Sequence, residues 1–403
     1  MKRVLLAYSG GLDTSFLVAW LSALEDHEVS AVTVDCGGFS AGEHEEIRAR
    51  ALALGAAEFR VIDARDTLHD SVLRWLIAGN VKRGDVYPLS VGAERGIQAE
   101  VLARLAVEEG FDALAHGCTA AGNDQVRFEA ALAVVAPGLE ILAPVRDLGL
   151  ARTEQVHWLE ERDLPVPPAG GRYSINAGLW GLTIGGGEML DSAEPLADDA
   201  WVWTRGGGGE DHLSLTFENG SPVAIDGRVL GPVELIETLN ELGGKLGVGR
   251  GYHLGDTVLG IKGRIAFEAP AAEILIAAHR ELEKLVLTED QRFWKDHLGE
   301  VFGRRLHQGL LHDPFMRDLA AFFASSQVAV QGSVHIHLQQ GRVIVTGVES
   351  TGSMMAVSDA LYGERAAAGA DPAGAAFLGR ILAEPARLSF AAADHAAQAG
   401  ATS

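Results

Sequence analysis

The sequence predicts an α/β protein, with a doubly wound parallel sheet in its N-terminal half and a separate α+β domain after it. Three observations support this fold class. Up to about residue 164, short unbroken apolar segments alternate with helical patterns, as parallel strands covered by helices on both faces require. Proline and glycine then concentrate in residues 164–171, which indicates a crossing between domains. After the crossing, apolar and polar residues alternate as in antiparallel strands with one solvated face.

The N-terminal half is predicted to contain five strands with five amphipathic helices between them. Each strand is a short segment rich in Val, Leu, Ile and Ala. The predicted strands cover residues 4–8, 29–35, 58–63, 112–116 and 140–145. The predicted helices cover residues 14–25, 41–55, 67–79, 93–110 and 124–136. Strands and helices that alternate in this way form a parallel sheet wound in both directions.

The C-terminal half is predicted to consist of hairpins and longer helices. Asn219-Gly220 and Gln340-Gly341 favour tight hairpin turns, the first between strands 212–218 and 221–226 and the second within residues 333–349. Helices are expected at 233–242, 268–287 and 288–306, with one more near 377–383 in an alanine-rich tail. The expected domains are residues 1–165, residues 172–363 and a tail of residues 364–403.

The formal charge of the chain is −22, from 33 basic and 55 acidic residues among 403. Such a surface repels phosphate backbones unless a basic stripe is set aside for them, and the sequence has no Lys/Arg-rich run. No stretch approaches about 18 consecutive apolar residues. The two cysteines, Cys36 and Cys118, are too few for a disulfide framework. We therefore expect no nucleic-acid partner, no membrane partner and a cytoplasmic location.

The strongest local signal is the segment Ser9-Gly10-Gly11-Leu12-Asp13-Thr14-Ser15, between the first strand and the first helix. Two glycines allow a tight turn in which successive N–H groups point into one concavity, and the helix N-terminus adds its dipole. A capped glycine-rich turn explains the glycine pair, but it does not require Ser9 and Asp13 as well. The segment matches neither a Walker loop nor a G-x-G-x-x-G turn. It predicts a pyrophosphate-binding loop.

A second polar segment, residues 116–129, follows the strand at 112–116. It places a hydroxyl, an amide, a carboxylate and a guanidinium group within nine residues, at Thr119, Asn123, Asp124 and Arg127. An ordinary turn followed by a surface arginine does not need all of these groups. Ligands of doubly wound sheets bind at the carboxyl ends of the strands, so we expect both segments to meet there.

Three other features have simpler explanations. The glycine-rich residues 243–251 follow a helix, which favours a helix C-cap and a connection. His335 and His337 alternate on a strand without a third ligand at metal spacing, which favours a solvated face, and no resident metal site is predicted. Cys118 shows no sign of an activated thiolate and is interpreted as a packing residue.

Residues 7–15 resemble the pyrophosphate loop (PP-loop) of the ATP pyrophosphatase superfamily. Together with residues 116–129 they are similar to the argininosuccinate synthase family, in a divergent bacterial branch. Further matches are Tyr87, Arg95, the segment that contains Ser174 and Thr183, and Lys262 with Arg264. The resemblance covers nearly all of the chain before the tail. It implies a PP-loop ATP-binding domain, then a synthetase and multimerisation domain, in a homotetramer.

The resemblance also implies an activity, namely ATP-dependent condensation of citrulline with L-aspartate in arginine biosynthesis. In that chemistry the ureido oxygen attacks the α-phosphorus to form a citrulline-adenylate, and the aspartate amine then displaces AMP. Backbone amides and Mg²⁺ would stabilise the departing pyrophosphate. The products are argininosuccinate, AMP and pyrophosphate, so the chain would be an AMP-forming carbon–nitrogen ligase.

The resemblance assigns the candidate site residues in three groups. The ATP site would comprise Ala7, Tyr8, Ser9, Gly10, Gly11, Leu12, Asp13, Thr14, Ser15, Val34 and Gly117. The aspartate and citrulline sites would comprise Tyr87, Arg95, Thr119, Asn123, Asp124, Arg127, Ser174, Thr183, Lys262 and Arg264. The catalytic residues would be Asp13, Asp124 and Arg127. Arg95, Arg127, Lys262 and Arg264 would form a positively charged pocket within an otherwise acidic surface.

The sequence departs from the family pattern around the citrulline head group. The glutamate that usually holds the amino-acid end is Gly255 here, its tyrosine partner is Phe267, and a nearby segment carries Gly92. Loss of that carboxylate leaves an α-ammonium group without a counter-charge unless Asp256 replaces it. The alternative substrate is therefore an Nα-acylated citrulline or a related ureido compound.

Two weaker alternatives use the same loop. An RNA-modifying enzyme predicts a basic face and, for thiolases, a cysteine pair, and neither feature occurs in the sequence. A nucleotide-binding sensor does not need the second polar segment or a large second domain.

Overall fold

The structure of the protein is a computed structural model that describes residues 1–168, 171–206 and 208–401. The chain divides into two compact units, Met1–Gly352 and Ser353–Ser403. Across the described ranges, no helix has the length and apolar character needed to span a membrane.

The first unit opens with a five-stranded parallel sheet, as the sequence predicts. Its strands are β1 (Lys2–Ala7), β2 (His27–Asp35), β3 (Glu58–Asp63), β4 (Ala113–His116) and β5 (Glu140–Leu142). Their order across the sheet is β3-β2-β1-β4-β5. The chain runs from β1 through β2 to β3 on one side, and then returns to β4 and β5 on the other side of β1. The switch between β1 and β4 creates a crevice at their carboxyl ends.

Helices cover both faces of this sheet. They are α1 (Leu12–Ser22), α2 (Glu43–Ala53), α3 (Arg65–Leu68), α4 (Arg74–Ala78), α5 (Arg95–Glu108), α6 (Asp124–Val135), α7 (Pro144–Asp147) and α8 (Arg152–Glu160). The helix predicted at 67–79 is interrupted by a wider turn, His69–Leu73. That turn puts residues five apart on one face, so Leu68 and Leu73 are both fully buried.

Two elements differ from the expectation near the end of this sheet. The strand predicted at 140–145 stops at Leu142, because Pro144 lacks an N–H group and begins α7. The helix α8 was not predicted from the sequence. It packs against α1 through an edge-to-face contact of Phe16 with Trp158, with ring centroids 5.3 Å apart.

Among the described residues, the rest of the first unit contains two antiparallel sheets and four α-helices. The strands are β6 (Tyr173–Gly178), β7 (Gly181–Gly186), β8 (Glu210–Glu218), β9 (Ser221–Ile225), β10 (Arg228–Val229), β11 (Arg250–Asp256), β12 (Lys262–Glu268), β13 (Gly332–Gln339) and β14 (Arg342–Glu349). They form the sheets β11-β12-β7-β6 and β10-β9-β8-β13-β14. The helices are α9 (Pro232–Lys245), α10 (Pro270–Val286), α11 (Glu289–His307) and α12 (Pro314–Gln327).

Both predicted hairpin turns occur where the sequence places them. Asn219 and Gly220 have φ values of 48° and 74°, and Gln340 and Gly341 have 46° and 77°. Two successive positive φ angles are what a tight turn between twisted strands requires. The hairpins β6-β7 and β11-β12 and the helix α12 were not predicted, although Ser174, Thr183, Lys262 and Arg264 of these hairpins match the family pattern.

Hydrogen bonds join the turn between β6 and β7 to the segment after β2 and to the segment before α5. The N–H of Leu179 donates to the carbonyl of Cys36 at 2.8 Å. The indole of the fully buried Trp180 donates to the carbonyl of Pro88 at 2.9 Å. These bonds hold the β6-β7 hairpin over the carboxyl edge of the parallel sheet.

The helices of the second unit, among the described residues, are α13 (Met354–Val357) and α14 (Pro372–Ala401). The helix expected near 377–383 lies within α14 and is much shorter than it. Phe377, Leu378, Ile381 and Leu382 are each more than half exposed.

Candidate functional site

The loop between β1 and α1 is shaped by its glycines. Gly10 has a φ of +75°, and a Cβ atom there would lie 2.4 Å from Cγ2 of Ile47. The guanidinium group of Arg50 donates to the Gly10 carbonyl at 2.7 Å. The first α-helical bond of α1 runs from Ser15 N–H to the carbonyl of Gly11 at 2.9 Å, so the amides before Ser15 have no partner within the helix. Such amides form an anion-binding site.

The two polar segments meet at the switch between β1 and β4. Ala7 pairs with His116 in the parallel register, so both strands end together. A Cβ atom on Gly117 would lie 3.2 Å from Cβ of Asp13 and 3.0 Å from Cγ2 of Thr14. Glycine at 117 therefore allows the close approach of the two loops.

A cavity of about 690 Å³ opens at this junction. The predicted ATP-site residues that line it are Ala7, Tyr8, Ser9, Gly11, Asp13, Thr14, Val34 and Gly117. Gly10, Leu12 and Ser15 are not among its lining residues. Ser15 is fully buried, and its hydroxyl lies 3.3 Å from that of Tyr8. Gly10 and Ser15 therefore shape the loop, Leu12 packs against the core, and the lining residues present atoms to the cavity.

A second cavity, of about 220 Å³, adjoins the first. The predicted substrate residues that line it are Tyr87, Arg95, Asn123, Asp124, Arg127, Thr183 and Arg264. Thr119 and Ser174 line the first cavity, whereas Arg95 and Asp124 line both. Lys262 lines neither cavity, because its ammonium group lies 2.6 Å from Asp256 on the exposed edge of β11-β12.

A charged cluster joins the two cavities. Asp124 accepts from Nε of Arg95 at 2.9 Å with one oxygen and from Nη1 of Arg127 at 2.8 Å with the other. Burial alone would raise the pKa of Asp124, but these two arginines hold it below its ordinary value. The carboxylate is therefore ionised and fixed between two guanidinium groups.

His307, at the end of α11, was missed by sequence reasoning. Its Nδ1 lies 3.0 Å from Nη2 of Arg127, and its Nε2 lies 2.9 Å from Nη1 of Arg83. Burial and then the charges of Arg127 and Arg83 lower the pKa of His307 to about 3. A neutral imidazole has one acceptor nitrogen, so it accepts from only one guanidinium group at a time. The other group keeps a donor that a ligand can use.

One end of the second cavity, here called the head-group end after the predicted head-group position Gly255, is lined by His253 and Gly255. The ring of His253 stacks on that of Tyr87, with centroids 5.3 Å apart. A Cβ atom on Gly255 would lie 2.5 Å from Nε2 of His253, so the imidazole occupies space that a side chain at 255 would need. Burial raises the pKa of Tyr87 to about 12, which keeps its phenol neutral. The ring of Phe267 also contacts that of Tyr87, with centroids 5.2 Å apart.

Glu94 is a second residue that sequence reasoning missed. Its carboxyl group is buried in the wall of the first cavity, and its Oε1 has no hydrogen-bond partner. Burial raises its pKa well above the ordinary value. Glycine at 178 leaves room for this carboxyl group, since a Cβ atom there would lie 1.6 Å from Oε1 of Glu94. The position of Glu94 next to Arg95 in the sequence was the signal that could have identified it as a site residue.

Cys118 also lines the first cavity. Burial raises the pKa of its thiol to about 12. The thiol is therefore protonated at neutral pH, as expected of a packing residue rather than a nucleophile.

Comparison with known proteins gives matches over most of the chain. A family model described as the arginosuccinate synthase N-terminal HUP domain matches residues 3–165, and one described as the arginosuccinate synthase C-terminal domain matches residues 173–374. An argininosuccinate synthase of Methanocaldococcus jannaschii is 38% identical over 355 residues, which are 87% of this chain and 89% of the relative.

Two further relatives with that name are similarly close. The protein of Methanococcus maripaludis is 37% identical over 369 residues, 90% of each chain. That of Dictyoglomus thermophilum is 37% identical over 356 residues, 88% of this chain and 89% of the relative. With two family models and relatives of this similarity over nearly its whole length, the chain belongs to the argininosuccinate synthase family.

Proposed function

We propose that the protein is an AMP-forming ligase that joins citrulline to L-aspartate at the expense of ATP. The relatives carry the name of this activity. The observation that carries the proposal is the pair of adjoining cavities, one walled by the phosphate loop and the other by polar side chains, with Arg95 and Asp124 in the walls of both. A nucleotide in the first cavity and a ureido compound in the second would meet at these residues.

The reaction has two steps. The ureido oxygen attacks the α-phosphorus of ATP and releases pyrophosphate, and the aspartate amine then attacks the ureido carbon and releases AMP. The amides around Ser9, Gly11 and Thr14 hold the phosphates, where they face the charge that develops on the leaving group. The remaining residues act by positioning three substrates, which is a large part of the rate enhancement in such reactions.

Different side chains of the second polar segment would bind the two amino-acid substrates, L-aspartate and citrulline. Thr119, Asn123 and Asp124 bind L-aspartate, and the guanidinium group of Arg127 faces the ureido compound with Tyr87. Ser174 and Thr183 complete the wall on the side of β6 and β7. In the structure the amide oxygen of Asn123 accepts from the N–H of Val258 at 2.8 Å, which leaves its NH₂ group available to substrate.

Mg²⁺ fits the first cavity at Asp13. This carboxylate lines the cavity and is oriented by Gln155, whose amide donates to Oδ1 at 2.9 Å, and Mg²⁺ prefers such oxygen ligands. Bound with the triphosphate, the ion would neutralise charge on the departing pyrophosphate.

The ligase activity can be tested with the purified chain, ATP, Mg²⁺, citrulline and L-aspartate. We expect AMP and pyrophosphate in equal amounts, and argininosuccinate only when both amino acids are present. Release of ADP, or no turnover with any ureido acceptor, would reject the proposal.

A second candidate substrate, Nα-acylated citrulline, is favoured by the charges around the head-group end. Among the described residues that line the second cavity, the carboxylates are Asp124 and Asp256. The first is held by two arginines, and the second by Lys262 at 2.6 Å. Arg83 and Arg127 face the same space with positive charge, which disfavours an α-ammonium group and favours an α-carboxylate.

The two substrates can be compared by kcat/KM for citrulline and Nα-acetylcitrulline in the same assay. The acylated candidate predicts a preference for Nα-acetylcitrulline. A clear preference for free citrulline would reject that candidate and leave the ligase proposal intact.

The proposal extends to assembly, location and domain organisation. The exposed apolar side chains of α14 support a homotetramer in which this helix is covered by other subunits. Both cysteines are free thiols, which supports a reducing cytoplasm. The limits of the two family models, 3–165 and 173–374, support an ATP-binding domain followed by a synthetase domain.

A further inference from the structure

The outer face of the β10-β9-β8-β13-β14 sheet brings together two histidines and a glutamate. Glu210 and His212 are two residues apart on β8 and share a face, and His212 lies directly opposite His337 on β13. Sequence analysis found no third ligand beside His335 and His337. The sheet register brings two ligands to His337, Glu210 and His212, from a strand more than one hundred residues earlier in the chain.

The three ligand atoms are close enough to share one ion. Nε2 of His337 lies 3.1 Å from Oε2 of Glu210, and the rings of His212 and His337 stack with centroids 4.2 Å apart. One ligand atom from each of the three residues lies within 4.8 Å of the others. Two atoms bound to one tetrahedral zinc ion at 2.0–2.1 Å are about 3.3 Å apart, so side-chain rotations suffice to close the site.

The chemistry of the donors selects the class of ion. Two imidazoles and one carboxylate suit zinc and its neighbours in the first transition series, whereas Mg²⁺ prefers oxygen ligands alone. The amide of Gln339 lies 3.3 Å from Oε2 of Glu210 and orients the carboxylate, as the surroundings of metal ligands commonly do. With three protein ligands on an exposed face, water would complete the coordination.

A neighbouring histidine provides an internal comparison. His335 lies on the same face of β13, but its Nε2 pairs with Glu349 of β14 at 3.2 Å. A register irregularity follows it, between His335 and Ile336. His335 therefore shares the strand and face of His337 but pairs with Glu349, so it is a control for loss of a histidine at this face.

We propose that Glu210, His212 and His337 bind a divalent transition-metal ion of the zinc type. The described residues that line the two cavities include none from β8 or β13. The metal site is accordingly separate from the proposed ligase site, and its occupancy is measurable without substrates.

The test uses the full chain without a histidine tag, treated with EDTA and titrated with ZnCl₂ in a calorimeter at pH 7.5. We expect one saturable Zn²⁺ site per chain, absent with MgCl₂, and a visible absorption band on titration with Co²⁺. His212→Ala and His337→Ala should each weaken Zn²⁺ binding at least tenfold, while His335→Ala should leave it within twofold.

Three results would overturn the proposal: no saturable Zn²⁺ binding, unchanged binding in both His212→Ala and His337→Ala, or equal weakening by His335→Ala. Glu210→Gln should also weaken binding, since it keeps the size of the side chain and removes its charge. Turnover of ATP, citrulline and L-aspartate by the same variants is measured separately, so that failure of the metal site and failure of the ligase proposal are distinct outcomes.

Discussion

Asp124 is the residue that connects the two cavities. It lies in the first turn of α6 and binds one arginine with each oxygen. Without its charge, Arg95 and Arg127 would repel each other and lose their fixed orientation. The residue therefore acts twice in the proposed reaction, as a contact for L-aspartate and as the anchor for two cations.

We predict that Asp124→Asn lowers kcat/KM at least about 100-fold, the usual cost of losing one charged contact to a transition state. Asparagine keeps the size of aspartate but not its charge. The rate of pyrophosphate release measures the effect. The control is Asp147→Asn, which removes a carboxylate paired with Arg146 at 2.8 Å outside both cavities. A loss of less than threefold in Asp124→Asn would contradict the assignment.

His307 gives the protein a specific sensitivity to acid. In the folded chain its pKa is about 3, whereas an unfolded histidine has a pKa of about 6.5. Between pH 6.5 and pH 3 this histidine binds a proton in the unfolded chain but stays neutral in the folded chain. The stability associated with His307 is thus present above pH 6.5 and is lost as the pH falls toward 3.

We predict that His307→Asn loses less stability than the wild type on acidification. Between pH 7 and pH 5 the difference should be about 2 kcal/mol, measured as unfolding free energy in urea. Asparagine can still accept a hydrogen bond from one arginine. His297→Asn, at an exposed position on the same helix, should behave as the wild type does. Parallel pH curves for His307→Asn and the wild type would contradict this account.

At the scale of elements, the loop between β1 and α1 depends on the conformation of Gly10. A positive φ disfavours any side chain, and here a side chain would also collide with Ile47 of α2. The loop position is therefore set by two elements at once, the strand that precedes it and the helix that packs under it.

We predict that Gly10→Ala destabilises the protein by about 1–3 kcal/mol and raises the KM for ATP. Gly42→Ala is a matched control, because Gly42 also has a positive φ, +85°, but no heavy atom lies within 4 Å of its added Cβ. The control should show the conformational cost alone, with an unchanged KM for ATP. Equal KM values in the two variants would count against a phosphate-binding loop at this position.

At the scale of the whole molecule, charge and packing are distributed unevenly. The chain carries −22, whereas the walls of the two cavities are nearly balanced in charge. They hold Arg83, Arg95, Arg127 and Arg264 beside Asp13, Glu43, Glu94, Asp124 and Asp256. The acidic surplus is spread over the rest of the surface. An anionic substrate therefore depends on local cations and backbone amides, and net charge says little about its affinity.

The three hydrophobic clusters of the core all lie within residues 1–352. We predict that a chain ending at Gly352 still unfolds cooperatively in a calorimeter. If α14 is covered by other subunits, as proposed, light scattering should show a smaller assembly for this chain than for the full one. Absence of a thermal transition in the shortened chain would contradict the first expectation, and an unchanged mass would contradict the second.

Much of the fold follows from local pattern. The five parallel strands and both hairpin turns were predictable, because apolar segments and Asn-Gly or Gln-Gly pairs act within a few residues. The β6-β7 hairpin was not, since Gly178, Gly181 and Gly186 interrupt its alternation, and it is held by bonds to Cys36 and Pro88 far along the chain. The candidate site residues remain predictions, which the variants above test.

The sequence by itself determined the strand, loop and helix that begin the protein. Ser9, the glycine pair and Asp13 lie within five consecutive residues, so their effect on the backbone is local. It also predicted the family, because residues 7–15 and 116–129 each carry a recognisable polar segment, and the family models and relatives confirm it. The tertiary structure alone decided which charges meet. Arg83 and His307 are 224 positions apart, and Glu210 and His337 are 127 apart. Such pairs depend on sheet register and helix packing, which no local pattern records.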